Sequence, residues 1–154
     1  MRKLLFLLTT VVVCVACNKT TNEGDNGLWP EPIVVTPATL VIDLGKGNSA
    51  TFTTSEPSYI SSIFLWGESL DIDPSEILGW REEDNAILVW KCGNKQTEVP
   101  YTHSFDWYEI EQIDNTNYKI TLGDIDEERH IHLYLNSRSN PREPATFDIT
   151  INPK

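Results

Sequence analysis

Three histidines, several runs of carboxylates and five tryptophans are the residues of this chain whose types could do chemistry. His130 and His132 are two apart, so on a strand they project from one face and could clamp a transition metal. Such a site needs a third ligand, for which His103 or Glu128 is the candidate. The plainer reading puts both histidines on a solvent face, and no metal is assigned. Asp71-Ile72-Asp73 and Asp124-Ile125-Asp126-Glu127-Glu128 set carboxylates along one side of short segments, which suits calcium. Neither has the glycine or the ligand spacing of a calcium loop, so both read as solvated acidic turns. Glu109 and Glu111 could serve a glycosidase only at a defined separation across a cleft. The chain has no G-x-S-x-G elbow, H-E-x-x-H helix, phosphate-cradling glycine loop or C-x-x-C pair. Cys92 has no nucleophile motif around it. No reaction and no cofactor follow from these residues, and the chain reads as a non-enzyme.

The tryptophans are the better lead. Sugar rings bind by laying their apolar C–H faces on flat side chains, and Trp66, Trp80 and Trp107 fall near strand ends or loops, where such a platform forms. These three are the candidate ligand-binding residues. Large aromatics also fill ordinary cores, and an inter-sheet tryptophan is expected in a sandwich. Trp90, between Val89 and Lys91, and Trp107, close to Phe105, therefore read first as core. Trp29 reads as a plug where the domain begins.

The elements that must position these residues have period two. Leu40, Ile42 and Leu44 alternate with Val41 and Asp43, Gly45-Lys46-Gly47-Asn48 turns the chain, and Ala50, Phe52 and Thr54 alternate with threonines, which predicts a hairpin. Further strands are predicted over 60–66, 86–92, 105–112, 118–122, 130–135 and 146–151, with turn residues between them. Only Pro74 to Leu78 suggests helix, as one turn with proline at its start. About seven or eight short strands spaced by turns indicate an all-β protein, an antiparallel β-sandwich of immunoglobulin-like type, over residues 33–154. The segment 67–85 departs from the pattern as an acidic excursion. Its carboxylates repel one another, so only an apolar anchor such as Ile77, Leu78 or Trp80 could hold it to the core, and Leu78 or Trp80 is expected to be buried while the acids stay at the surface.

Before the domain come two other segments. Met1-Arg2-Lys3 is a basic start, Leu4 to Val15 is an almost unbroken apolar run, and Ala16 is a small residue before Cys17. That is the layout of a secretory signal over 1–16, too short for a bilayer span of about 20 residues. Val15-Ala16-Cys17 resembles the bacterial lipobox, whose cysteine is acylated and becomes the mature N-terminus. The resemblance implies a lipoprotein anchored to a membrane through Cys17, on the outer membrane, at the cell surface or on the periplasmic face. Residues 17–32 are polar and end in Trp29-Pro30-Glu31-Pro32, and they read as a flexible tether. They are similar to the acid-containing spacers of surface-exported lipoproteins.

Cleavage removes Arg2 and Lys3, leaving 10 basic against 23 acidic residues, a net charge of −13. Such a surface repels phosphate backbones, so nucleic acid is excluded as a partner. The mature chain keeps only Cys17 and Cys92, and with the first acylated there is no disulfide framework. Cys92 reads as a buried structural thiol.

Thr36-Pro37-Ala38-Thr39-Leu40-Val41-Ile42, then Gly45 and Ala50-Thr51-Phe52-Thr53-Thr54, resembles the opening of BACON-type immunoglobulin-like domains of secreted bacterial lipoproteins and glycan-degrading enzymes. Asp106-Trp107-Tyr108-Glu109-Ile110, the strands 118–122 and 131–135, Asn136, Arg142 and the final 145–151 strand follow the same order of landmarks. Residues 66–104 do not follow it. The resemblance implies a β-sandwich that binds glycans or acts as a spacer, with no catalytic residues. The chain thus reads as a binding module for a glycan or a surface protein, with a structural spacer or accessory subunit as the alternative.

Overall fold

The computed structural model describes residues 31–66, 72–81, 85–92, 98–139 and 143–154. The signal segment, Cys17 and most of the tether lie outside the described residues, as do Asp71, Glu82 to Asp84 and Arg142. The strands are β1 (Val35–Thr36), β2 (Leu40–Asp43), β3 (Ser49–Thr54), β4 (Ser58–Trp66), β5 (Gly79–Arg81), β6 (Ala86–Lys91), β7 (Tyr101–Phe105), β8 (Tyr108–Gln112), β9 (Asn117–Leu122), β10 (Arg129–Ser137) and β11 (Ala145–Asn152). One 3-10 turn, Pro74–Glu76, is the only helical element among them.

Two sheets carry these strands. One has the order β1-β3-β9-β8-β7 and the other β2-β11-β10-β4-β6-β5. Alternation explains the layering: in β10, Ile131, Leu133 and Leu135 are buried, and in β11, Phe147, Ile149 and Ile151 are. These meet Phe52, Ile110, Tyr118 and Ile120 of the other sheet in one apolar cluster. Each such side chain withdrawn from water stabilises the fold by about 1.5–3 kcal/mol. The protein is therefore an all-β sandwich.

Several expectations need correction. There are eleven strands among the described residues, not seven or eight. The extra three, β1, β5 and β7, are too short or too polar to show alternation. The predicted 105–112 strand is a hairpin, because Phe105 pairs with Tyr108 and Asp106-Trp107 form a two-residue turn. The predicted hairpin 40–54 is not one. β2 pairs with β11 in parallel and β3 pairs with β9, so the 44–48 turn carries the chain from one sheet to the other. Asp43 holds that turn, its carbonyl accepting from the Lys46 amide at 2.8 Å and its side chain from Gly45 at 3.0 Å. The β2–β11 pair also makes the six-stranded sheet mixed, not purely antiparallel. It does place the first long strand beside the last, as neighbours within the sandwich.

Of the three candidate anchors, Ile77 holds the excursion to the core, while Leu78 and Trp80, expected to be buried, do not. Leu78 and Trp80 are 59% and 62% exposed. Trp80 pairs with Ile87 and so lies on the core-facing side of its sheet, but β5 is the edge strand. β6 already faces the edge of the other sheet, since Trp90 packs on Tyr101 and His103 of the edge strand β7, so among the described residues no strand of that sheet lies beyond β7 to cover β5. Ile72 and Ile77 pack on the core instead, and Arg81 donates to the Tyr134 hydroxyl across the outer face. Asp73 and Glu76 are exposed, as predicted. Cys92 is half-buried, not buried, and forms no disulfide.

Candidate functional site

The β7–β8 turn puts Trp107 at one end of the sandwich. Its carbonyl accepts from the Gly123 amide at 2.8 Å, tying the turn to the end of β9, and its ring meets Tyr108 edge-on at 5.0 Å. Arg129 opens β10 on the core-facing side, paired with Ile151, and its guanidinium carbon lies 5.9 Å from the Trp107 ring centre. A cation over an indole face at this range is attracted by the ring quadrupole. Glu127 holds one end of the same guanidinium at 2.5 Å, while the Nε–H is buried without a hydrogen-bond partner among the described residues.

The 72–76 segment closes the third side. Asp73 caps the 3-10 turn, accepting from the Ser75 amide at 2.8 Å and the Ser75 hydroxyl at 2.7 Å, and these donors hold its carboxyl below the usual range. The result is a cleft of about 480 Å³ between the two sheets. Ile72, Phe105 and Trp107 form its apolar walls, and Asp73, Glu76, Asp106 and Arg129 its polar ones. The lining is mainly polar, with the flat rings of Phe105 and Trp107 set among charged groups. A groove of similar size, about 450 Å³, runs along β2 and the 43–47 turn, but no aromatic ring lines it. The chemistry therefore favours the Trp107 cleft.

Trp66 does not reach this cleft. It ends β4 on the outer face of the six-stranded sheet, where its ring stacks on His132 at 5.7 Å and 14°. The register builds an aromatic grid there: Trp66 pairs with His130 and Ala86, and Phe64 pairs with His132 and Leu88. Tyr134 meets His132 at 5.0 Å and Phe64 at 5.4 Å, and the Arg81 guanidinium carbon sits 5.8 Å from its ring centre. Trp80 belongs to neither group. The three predicted tryptophans are thus not brought together.

The histidines follow the predicted face but not a metal geometry. His130 contacts Glu128 at 2.9 Å, and His132 Nδ1 donates to Asp148 at 2.5 Å, so each has its own carboxylate. His132 is only 8% exposed, and its Nε2 has no partner among the described residues. His103 pairs with the buried Ile110 and points between the sheets, on the opposite side of β4 and β10 from the other two. Among the described residues no group of three potential ligands converges. Glu109 and Glu111 alternate with the buried Ile110 on β8 and so face away from the core. Arg129 and Phe105 were missed as site residues, because neither lies in a motif; an arginine directly after an acidic run was the available signal.

Burial pushes His103 down to about 4. Its unfolded value is about 6.5, so between those limits the unfolded chain takes up a proton that the folded chain refuses, and stability falls as pH drops from 6.5 to 4. The ring is partly solvated, which limits the loss to roughly 1–2 kcal/mol. His103→Gln should flatten that limb in urea melts at pH 7 and pH 4.5. An unchanged slope in the variant would assign the acid limb to other groups.

No family model matches the chain, and no curated protein is similar to it. An NMR structure of a protein from Bacteroides thetaiotaomicron is similar at 12% identity with a TM-score of 0.49, over 90% of this chain and 98% of that one.

Proposed function

We propose that the protein is a lipoprotein anchored through Cys17 at the cell surface or the periplasmic face, and that its immunoglobulin-like sandwich is a non-enzymatic module binding glycans in the Trp107 cleft. The observation that carries this reading is the meeting of Trp107, Phe105 and Arg129 with three carboxylates in an open cleft at the end of the two sheets. A sugar presents both surfaces such a cleft can match, apolar ring faces and hydroxyls that donate to carboxylates and accept from guanidinium. The parallel pairing of β2 with the last strand, β11, supports the immunoglobulin-like assignment.

Trp107→Ala should weaken binding to any glycan recognised on an array by at least tenfold, a change of about 1.4 kcal/mol. Trp66→Ala, on the other face, should leave it within about threefold. Equal binding by wild type and Trp107→Ala would move the site elsewhere. A second reading, docking of a surface protein, rests on the exposed Trp80 of the edge strand β5 and the exposed Leu78 just before it.

A further inference from the structure

We infer that the Trp107 cleft selects uncharged sugar units and rejects acidic ones such as uronates and sialates, a specificity that rests on the glycan-binding reading above. Three carboxylates, Asp73, Glu76 and Asp106, line it against a single cation, Arg129. A ligand carboxylate would enter a field of its own sign, strengthened by the low-dielectric walls of Ile72, Phe105 and Trp107. Asp73 keeps its charge in this cleft, because the Ser75 amide and hydroxyl both donate to it.

Arg129 does not offset this. A guanidinium grips a carboxylate best through two parallel N–H bonds, and it is the group expected to recognise an acidic sugar. Here one Nη is already held by Glu127 at 2.5 Å, and the cation also lies over Trp107. The neighbouring Nε–H is the buried donor without a partner among the described residues. That burial closes the Nε–Nη2 edge to a two-pronged grip, and Glu127 already competes for Nη2, which the other edge shares. The whole chain adds to the effect with its net charge of −11, or −13 once Arg2 and Lys3 are removed.

The test is an array of matched pairs: sialylated glycans with their desialylated forms, and uronate oligosaccharides with their carboxyl-reduced forms. Among the pairs that bind, the neutral member should bind at least tenfold tighter. The gap should shrink in about 1 M salt, where the screening length is about 3 Å. It should close in the triple variant Asp73→Asn, Glu76→Gln, Asp106→Asn, whose folding is checked by its melting curve. An acidic member bound as tightly as its neutral partner by the wild type overturns the specificity and leaves the glycan reading standing. No binding to any member, neutral or acidic, removes the glycan reading, and the specificity with it.

Discussion

Tyr118→Ala should cost about 3–5 kcal/mol of stability, whereas Tyr118→Phe should fold with a loss of about 1–2 kcal/mol. Tyr118 is fully buried on β9, directly opposite Phe52 on β3, and the two rings stack at 4.8 Å with planes 1° apart. Phe52 in turn meets Phe147 of the other sheet at 4.7 Å, so the tyrosine ring is one end of a stack that joins the layers. Deleting a buried aromatic costs about 3–5 kcal/mol through lost transfer energy and the cavity left behind. A domain of this size has only about 5–15 kcal/mol in total.

The hydroxyl adds a second function. It bonds the fully buried Ser58 Oγ at 2.7 Å, and Ser58 Oγ meets Thr54 Oγ1 at 2.9 Å. The Ser58 carbonyl accepts from Gln112 at 2.7 Å and from Arg138 at 2.9 Å, so five residues from different strands and turns satisfy one another in a dry site. Burial raises the tyrosine to about 12, which keeps it neutral. Tyr118→Phe removes one link, but Ser58 retains Thr54. Urea denaturation of both variants decides the point. Equal losses would mean that the hydrogen bond, and not the stack, dominates, and a loss under about 1 kcal/mol in Tyr118→Ala would contradict the packing account.

The core was legible because its strands are half-buried and alternate: Leu40, Ile42, Phe52, Tyr118, Ile120, Ile131, Leu133 and Ile149 each fall on the inward phase. Sheet membership was not. The turn Gly45-Lys46-Gly47-Asn48 has hairpin chemistry, yet the same local hydrogen bonds serve a crossing between layers, and only the long-range pairing of β2 with β11 separates the two outcomes. Trp80 misled for a related reason. It lies on the apolar side of a strand, and its burial depends on whether another strand lies opposite, which no local pattern encodes. The cleft was half legible: Trp107 and Asp73 stand out by residue type and position, while Arg129 reaches the site only because β10 starts under the β7–β8 turn.

Full release from the membrane is the expected phenotype of Cys17→Ser under the proposed lipid anchor. The sequence places Cys17 after the small Ala16, and under this proposal the basic start and apolar run before it would serve as the export signal. Two chains of about sixteen carbons, at about 0.8 kcal/mol per buried methylene, hold a protein with roughly 20 kcal/mol or more, where one chain gives only marginal binding. Loss of the thiol removes all of that at once, because the described domain has no helix long and apolar enough to cross a membrane and its negative charge disfavours anionic headgroups. Cys14→Ser is the matched control. Val13 before it is β-branched and fits a small-residue cleavage pocket poorly, so this variant should stay in the membrane fraction and keep its acyl label. Detergent phase partition and radiolabelled palmitate read both outcomes. Membrane retention of Cys17→Ser, or release of Cys14→Ser, would overturn the anchor at Cys17.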